Sequence, residues 1–457
     1  AVPNDNYSAY PQLVHTLFAS APGPLERNAG EIVWTFGALL CVAAGLLAAR
    51  IGGAECACVA PAIVATSPLF LDQCGAPGID VPYTATAIGA MLALAAWRQD
   101  ARAGWLVLAG VLAGSGHGIR HTSLLVNALL VVGVAILATQ RRAWNVSIFC
   151  AAAAASAAPW LVRTALVAGN PVYPFFSSVL GAGAAPDVDV AAFGAHSSIQ
   201  GRGMLQLLVF PWSLTMQPAH YGGWSTSPGA LWLVLGVVGV AVGGRGARLL
   251  GAFSGVGLAA LFFFQRFARY AFPFIAPMMV VAALPHTKLP KLRGLMGAVL
   301  CISYLLGLAP AMAGAAMKLP AALGIEPRGP YLARRIERYE AMVWAARELP
   351  PGAVVLSLDP RGYYFDRRTM TNFEVLKELT KGTPDEQREW LAENGIRYVF
   401  YPGKYVDESP GFGETGVGAM AEAWRADGAH FRLIKEFDLA CPRDGGTERV
   451  EIYECRR

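Results

Sequence analysis

The chain has 457 residues, of which 54% are hydrophobic and only 15% charged, and its mean hydropathy is +0.41. A soluble domain carries about 25% charge, so this composition excludes an ordinary soluble enzyme and points to a polytopic membrane protein in a lipid bilayer. The net charge of +5 is no nucleic-acid signal, because the basic residues sit in short loops between apolar runs and in a polar tail.

Ala1 is not preceded by an initiator Met, and residues 1–30 hold no continuous apolar core of the signal-peptide kind. The expectation is that an N-terminal piece is missing. A bilayer core of about 30 Å takes roughly 20 apolar residues per helix. About ten segments fit, at 31–50, 55–71, 79–97, 104–118, 122–139, 145–168, 228–244, 248–264, 269–285 and 293–316. Cys56-Ala57-Cys58 lacks metal-site spacing, and Cys441 and Cys455 bracket a predicted hairpin out of register, so no disulfide is expected.

Every second loop is basic. Arg50-Ile51-Gly52, Arg98 to Arg102, Gln140-Arg141-Arg142, Arg245 to Arg248 and His286 to Arg293 form one set. The alternate loops, 72–78, 118–121, 169–227 and 265–268, are longer or poorer in Lys and Arg. The positive-inside rule assigns the basic set to the cytoplasm and the N-terminal stretch, the large loop 169–227 and the tail to the outside. The stretch Pro159 to Phe176, PWLVRTALVAGNPVYPFF, is then a helix leaving the membrane on the external side through Gly169, Asn170, Pro171 and Pro174.

From about Lys318 charges become frequent. The expected organisation is a transmembrane domain over 1–317 and a small soluble α/β domain over 318–457. Glu326 to Glu348 reads as one helix, and Ala353 to Leu358 as a buried strand ending at Asp359-Pro360, where Asp359 reads as a turn residue. Thr383-Pro384-Asp385-Glu386 is a capping box that opens a helix ending at Asn394-Gly395. Ile396 to Tyr401 is a second strand, Val417 to Ala426 a helix, and Phe431 to Leu439 with Arg449 to Tyr453 a closing hairpin, giving a partly parallel sheet.

Ionisable groups at the edge of membrane segments are expensive and so are functional candidates. Asp72 and Asp80 flank a tight external loop and suit a general base or a divalent metal, which is left open. Gly116-His117-Gly118-Ile119-Arg120-His121-Thr122 offers an arginine fork for an anionic headgroup, with glycines permitting close backbone approach. Gln265-Arg266-Phe267-Ala268-Arg269-Tyr270 puts two further arginines on the external side. Arg163 lies inside the exit helix, and Tyr7, Tyr10, Tyr173, Trp212, Tyr221 and Trp224 are rings for a sugar face or for an interfacial belt. Three basic clusters and an Asp on one face suit a lipid-linked phosphate whose tail lies in the bilayer.

Several of these pieces, in this order, resemble the GT-C class of polytopic membrane glycosyltransferases. The resemblance is to the family-39-like branch that contains protein mannosyltransferase and aminoarabinose-transferase relatives. They are Tyr7 to Leu13, Thr66-Ser67-Pro68-Leu69 with Asp80, Arg120-His121-Thr122, Pro159 to Arg163 leading to Gly169 to Pro174, and Arg269-Tyr270 with Pro273. The resemblance implies a mainly α, multi-helix fold in a bacterial inner membrane, with an external active site. It also implies a polyprenyl-phosphate-linked monosaccharide as donor and a glycan, lipid or protein as acceptor. It implies a catalytic or acceptor-binding role for Asp80. Arg120, His121, His117, Arg163, Asn170, Tyr173, Arg269 and Tyr270 are the candidate phosphate and substrate contacts. The principal catalytic Asp of the class lies soon after its first membrane helix. This chain starts past that motif, and Asp5 is not its expected equivalent. Two other readings compete: a multi-pass transporter or lipid flippase, against which the lack of an internal repeat counts, and a noncatalytic scaffold that tolerates alanine at Asp80 and Arg269.

Overall fold

In a computed structural model the described residues are 12–20, 25–76, 78–181, 203–359, 362–370, 376, 379–408, 416–440 and 446–456. They divide into two compact units, a helical one made of Ala9–Gly183 and Asp187–Gly314 and a second one made chiefly of Ala315–Arg457.

Each apolar run becomes helix. In chain order these are α1 (Leu13–Ser20), α2 (Leu25–Gly52), α3 (Cys56–Ala65), α4 (Pro68–Cys74), α5 (Asp80–Asp100), α6 (Ala103–Ile119), α7 (Ser123–Leu137) and α8 (Arg142–Ala168). They are followed by α9 (Met204–Met216), α10 (Leu231–Val242), α11 (Arg245–Phe264), α12 (Ala268–Val281) and α13 (Arg293–Ala322). The spans Ala29–Gly52, Arg142–Ala168, Arg245–Phe264 and Ala268–Lys288 are each long and apolar enough to cross a membrane. The chain is a multi-pass membrane protein.

Two departures from the expected segments have local causes. The run 55–71 is not one helix but the pair α3 and α4, bent by 68°. Pro68 disfavours helical geometry at the residue before it, and Ser67 accordingly takes an extended ψ of 124°. The large loop 169–227 contains an apolar helix, α9, that its Pro211 disguises in the sequence.

Helices α5 and α12 form the interior. Helix α12 is buried almost all round and packs against α2, α3, α5, α10 and α11. Helices α6 and α8 approach closely because α6 presents Gly110, Gly114 and Gly118 at four-residue spacing along one face. A Cβ at Gly114 would lie 2.1 Å from the Ala153 carbonyl oxygen, and one at Gly118 would lie 2.4 Å from Trp160 Nε1. A Cβ at Gly116 would meet Thr86 and Tyr83. The space at Gly116 and Gly118 is therefore filled by neighbouring helices, which corrects the expectation that it admits a headgroup.

The second unit contains α14 (Arg328–Arg335), α15 (Tyr339–Glu348), α16 (Pro384–Glu393) and α17 (Val417–Ala426). Its strands are β1 (Val354–Ser357), β2 (Arg368–Met370), β3 (Ile396–Pro402), β4 (Phe431–Ala440) and β5 (Thr447–Cys455). The sheet order is β2-β1-β3-β5-β4, with β1 parallel to β2 and β3 and the closing hairpin antiparallel. The capping box is formed, with the Thr383 hydroxyl accepting from the Glu386 backbone and the Glu386 carboxylate accepting from the Thr383 N–H at 2.7 Å. Strand β2 has no counterpart in the sequence expectation, being only three residues, Arg368-Thr369-Met370.

The expected helix 326–348 breaks at Arg338, which takes a left-handed φ of 65°. That reversal buries its guanidinium, which pairs with Asp359 and with Glu448 Oε2, the latter at 2.7 Å, while Tyr405 stacks 4.6 Å from its Cζ. Asp359 is fully buried in this cluster. It is not the solvated turn residue that Asp-Pro suggests. Among the described cysteines all are free, and Cys455 lies opposite Phe431 in the hairpin. Cys441 lies outside the described residues.

Candidate functional site

The antiparallel packing of α5 on α6 brings the first residue of one helix to the last turn of the other. Asp80 opens α5, where a carboxylate complements the positive end of the helix dipole. Arg120 follows α6 in extended geometry, with φ −154° and ψ 133°, which carries its side chain back across the helix end. The two meet at 2.6 Å between Arg120 Nη1 and Asp80 Oδ1, with Asp80 buried and Arg120 nearly so.

The third wall is the start of α12, which begins at this same end of α5. Arg120 Cζ lies 4.1 Å from the centroid of the Tyr270 ring. On the same ring, Arg269 Cζ lies 5.1 Å from the centroid, and Arg269 Nη2 donates to the Tyr270 hydroxyl at 3.4 Å. Tyr270 is thus held by two guanidiniums, and Asp80 feels the attraction of both. Counting Asp80, Arg120 and Arg269 alone, two cations face one carboxylate. Guanidiniums present planar, multi-donor forks of the kind that suit phosphate or carboxylate oxygens.

Tyr83 belongs here and was missed by the sequence reading. It lies one helical turn after Asp80, is buried, and sits beside Thr122 within reach of the Asp80 and Arg120 charges. The three-residue spacing from Asp80 was the available signal.

The other candidates take the following places. His117 is buried, with Nδ1 3.3 Å from the Ser123 hydroxyl. His121 packs edge-on against Phe175, with centroids 5.6 Å apart, which ties the exit stretch to the α6–α7 turn. Asn170 is buried, and its amide is taken up by the turn itself, donating to Phe175 O at 2.9 Å and accepting from Val172 N at 3.0 Å. Tyr173 is buried and precedes a cis peptide at Pro174. Arg163 is half-buried on α8. Gly169 closes α8 in left-handed geometry, with φ 69°, a common end for a helix at glycine. Asp72 accepts from the Gln73 amide at 2.9 Å. Trp212 is exposed, and Tyr221 is buried against Phe210. Asp5, Tyr7 and Tyr10 lie outside the described residues, as does the side chain of Trp224.

A second buried guanidinium lies just before α12. Arg266 donates from Nε to Phe262 O at 3.0 Å and stacks 4.4 Å from the Phe262 ring, with Tyr221 in its field.

A divalent metal does not fit this site. The carboxylate of Asp80 already meets one guanidinium and faces another, and these cations repel a metal ion. Among the described residues no group of three or more His, Cys, Asp or Glu converges on a shared position.

No family model and no curated protein sequence matches the chain. Solved structures do match. ArnT from Cupriavidus metallidurans bound to undecaprenyl phosphate superposes with a TM-score of 0.55 at 13% identity, over 97% of this chain and 87% of that one. The chain has a GT-C-like fold. The apo form of the same ArnT gives a TM-score of 0.53 at 14% identity, over 99% of this chain and 93% of that one. The apo oligosaccharyltransferase of Archaeoglobus fulgidus gives 0.50 at 14%, over 87% of this chain and 62% of that one. The GT-C-like bundle expected from Pro159–Phe176, Asp80, Arg120 and Arg269-Tyr270 is therefore the fold of the chain.

Proposed function

We propose that the chain is a membrane glycosyltransferase that moves a monosaccharide from a polyprenyl-phosphate donor to an extracytoplasmic glycan, lipid or protein acceptor. The observation that carries this reading is the Asp80–Arg120 pair packed against Tyr270 and Arg269, at one end of a bundle folded like an ArnT that holds undecaprenyl phosphate. The positive-inside reading of the basic loops supports an extracytoplasmic position for that end.

In this reading Arg120 and Arg269 bind the phosphate and stabilise the charge that develops on it as the sugar leaves. Asp80 is 2.6 Å from Arg120, so its carboxylate is engaged by that guanidinium. Its role is to hold the Arg120 guanidinium in place rather than to take the proton. An acceptor hydroxyl loses its proton to a separate base, its oxygen bonds to sugar C1, and the C1–O bond to the phosphate breaks with inversion. Tyr270 keeps the two guanidiniums apart. Tyr83 and His121 line the same end and suit contacts to the sugar or its phosphate.

The test uses the purified full chain with undecaprenyl phosphate as probe. Arg120→Ala and Arg269→Ala should each weaken its binding at least tenfold, because each removes a charged phosphate contact worth about 1.5–3 kcal/mol. Transfer of radiolabelled sugar from polyprenyl phosphate should collapse in Asp80→Asn. Unchanged binding in both arginine variants would overturn the site. Binding with facilitated lipid transbilayer movement but no sugar transfer would favour a flippase.

A further inference from the structure

Toward the other end of α5, about 16–28 Å from Asp80 by the rise of its helix, a cavity of about 610 Å³ opens between α2, α5, α7 and α11. Its volume lies within the roughly 300–1,000 Å³ typical of ligand sites. Met91, Leu130 and Phe253 form its apolar walls. Arg50, Arg98 and Arg245 stand at its rim, and all three are exposed. Val132, Ile136 and Val256 also line it while remaining 53%, 43% and 54% exposed. The cavity therefore opens sideways, onto a surface that meets lipid in a membrane-spanning bundle.

The rim is cationic without being neutralised locally. Arg50 donates to the Gln99 side chain, and Arg245 donates to Ile136 O at 2.9 Å. Among the described residues none of the three forms an ion pair with a carboxylate. The neighbouring acid, Asp100, accepts instead from the Trp105 indole at 3.2 Å. Apolar walls open to the bilayer, below three guanidiniums at the water boundary, match a molecule with a hydrocarbon tail and an anionic head. Guanidinium forks suit phosphate oxygens in particular.

We propose that this cavity binds one anionic phospholipid, with an acyl chain between α7 and α11 and the phosphate on Arg50, Arg98 and Arg245. The site is separate from the Asp80 cluster and needs no contact with it. By the charge of its loops it faces the opposite leaflet.

Native mass spectrometry of the detergent-purified full chain, titrated with phosphatidylglycerol and with phosphatidylcholine of the same acyl chains, tests this. One phosphatidylglycerol should bind at least tenfold more tightly than phosphatidylcholine. The double variant Arg98→Gln/Arg245→Gln should lose that preference. Gly133→Leu should weaken both lipids without touching a charge, since the residue lines the cavity and nothing lies within 4 Å of a Cβ there. Arg120→Ala should leave phosphatidylglycerol binding unchanged. Equal binding of the two lipids, or phosphatidylglycerol affinity unchanged in both cavity variants, overturns the proposal. So does undecaprenyl phosphate binding more tightly than phosphatidylglycerol and losing its affinity in the same variants, which would make the cavity a polyprenyl-phosphate site.

Discussion

Asp80 is buried in an ion pair with Arg120, which also stacks on Tyr270. Removing one partner of such a pair costs about 3–5 kcal/mol, because the other is left charged and dry. Asp80→Asn should therefore lower the thermal midpoint as well as abolish transfer, whereas the double variant Asp80→Asn/Arg120→Gln should recover stability and not activity. A thermal-shift cycle over the four proteins measures both. An Asp359→Ala variant should behave likewise in the second unit, because it strips a partner from the buried Arg338. Charges in an apolar run are conspicuous, which is why Asp80, Arg120 and Arg269 stood out in the sequence, with Tyr270 noted only as the neighbour of Arg269. Tyr83 was silent because a tyrosine raises no alarm in such a run. Asp359 was misread because its partner lies 21 residues away, behind a backbone reversal that no local signal announces.

Among the elements, the contact of α6 with α8 depends on the absence of side chains. Gly114→Leu should prevent the two helices from closing and leave the chain unable to survive detergent extraction as a monodisperse species, measured by size-exclusion chromatography. Gly133→Leu on α7 should pass the same assay. Helix positions were legible because apolar length decides them. The α3–α4 bend and α9 were not, because a proline in an apolar run signals a bend, a loop or a tolerated kink equally well, and packing decides among them. In the second unit, the Glu386 carboxyl is held below its ordinary value of 4.5 by the Thr383 backbone N–H and then by the Thr383 hydroxyl. A depressed carboxyl contributes stability above its ordinary value and loses it as pH falls below. Glu386→Gln should thus flatten a small part of the acid destabilisation of that unit, read from thermal midpoints between pH 7 and pH 3.

At the scale of the whole molecule, each unit has a hydrophobic core of its own, one gathered around α5 and α12 and the other on the faces of the mixed sheet. A fragment covering 326–457 should therefore fold alone, with a cooperative thermal transition and a mixed helix–strand circular dichroism spectrum. A non-cooperative melt would show that its core is incomplete. The burial of α12 also has a consequence for biosynthesis. Helices α2, α3, α5, α10 and α11, which pack most closely around it, all precede it in the chain. During translation it arrives at a slot that its neighbours have already built. Arg269 and Tyr270 ride in on its first turn, so the cluster they form with Asp80 and Arg120 is finished only when this helix leaves the ribosome.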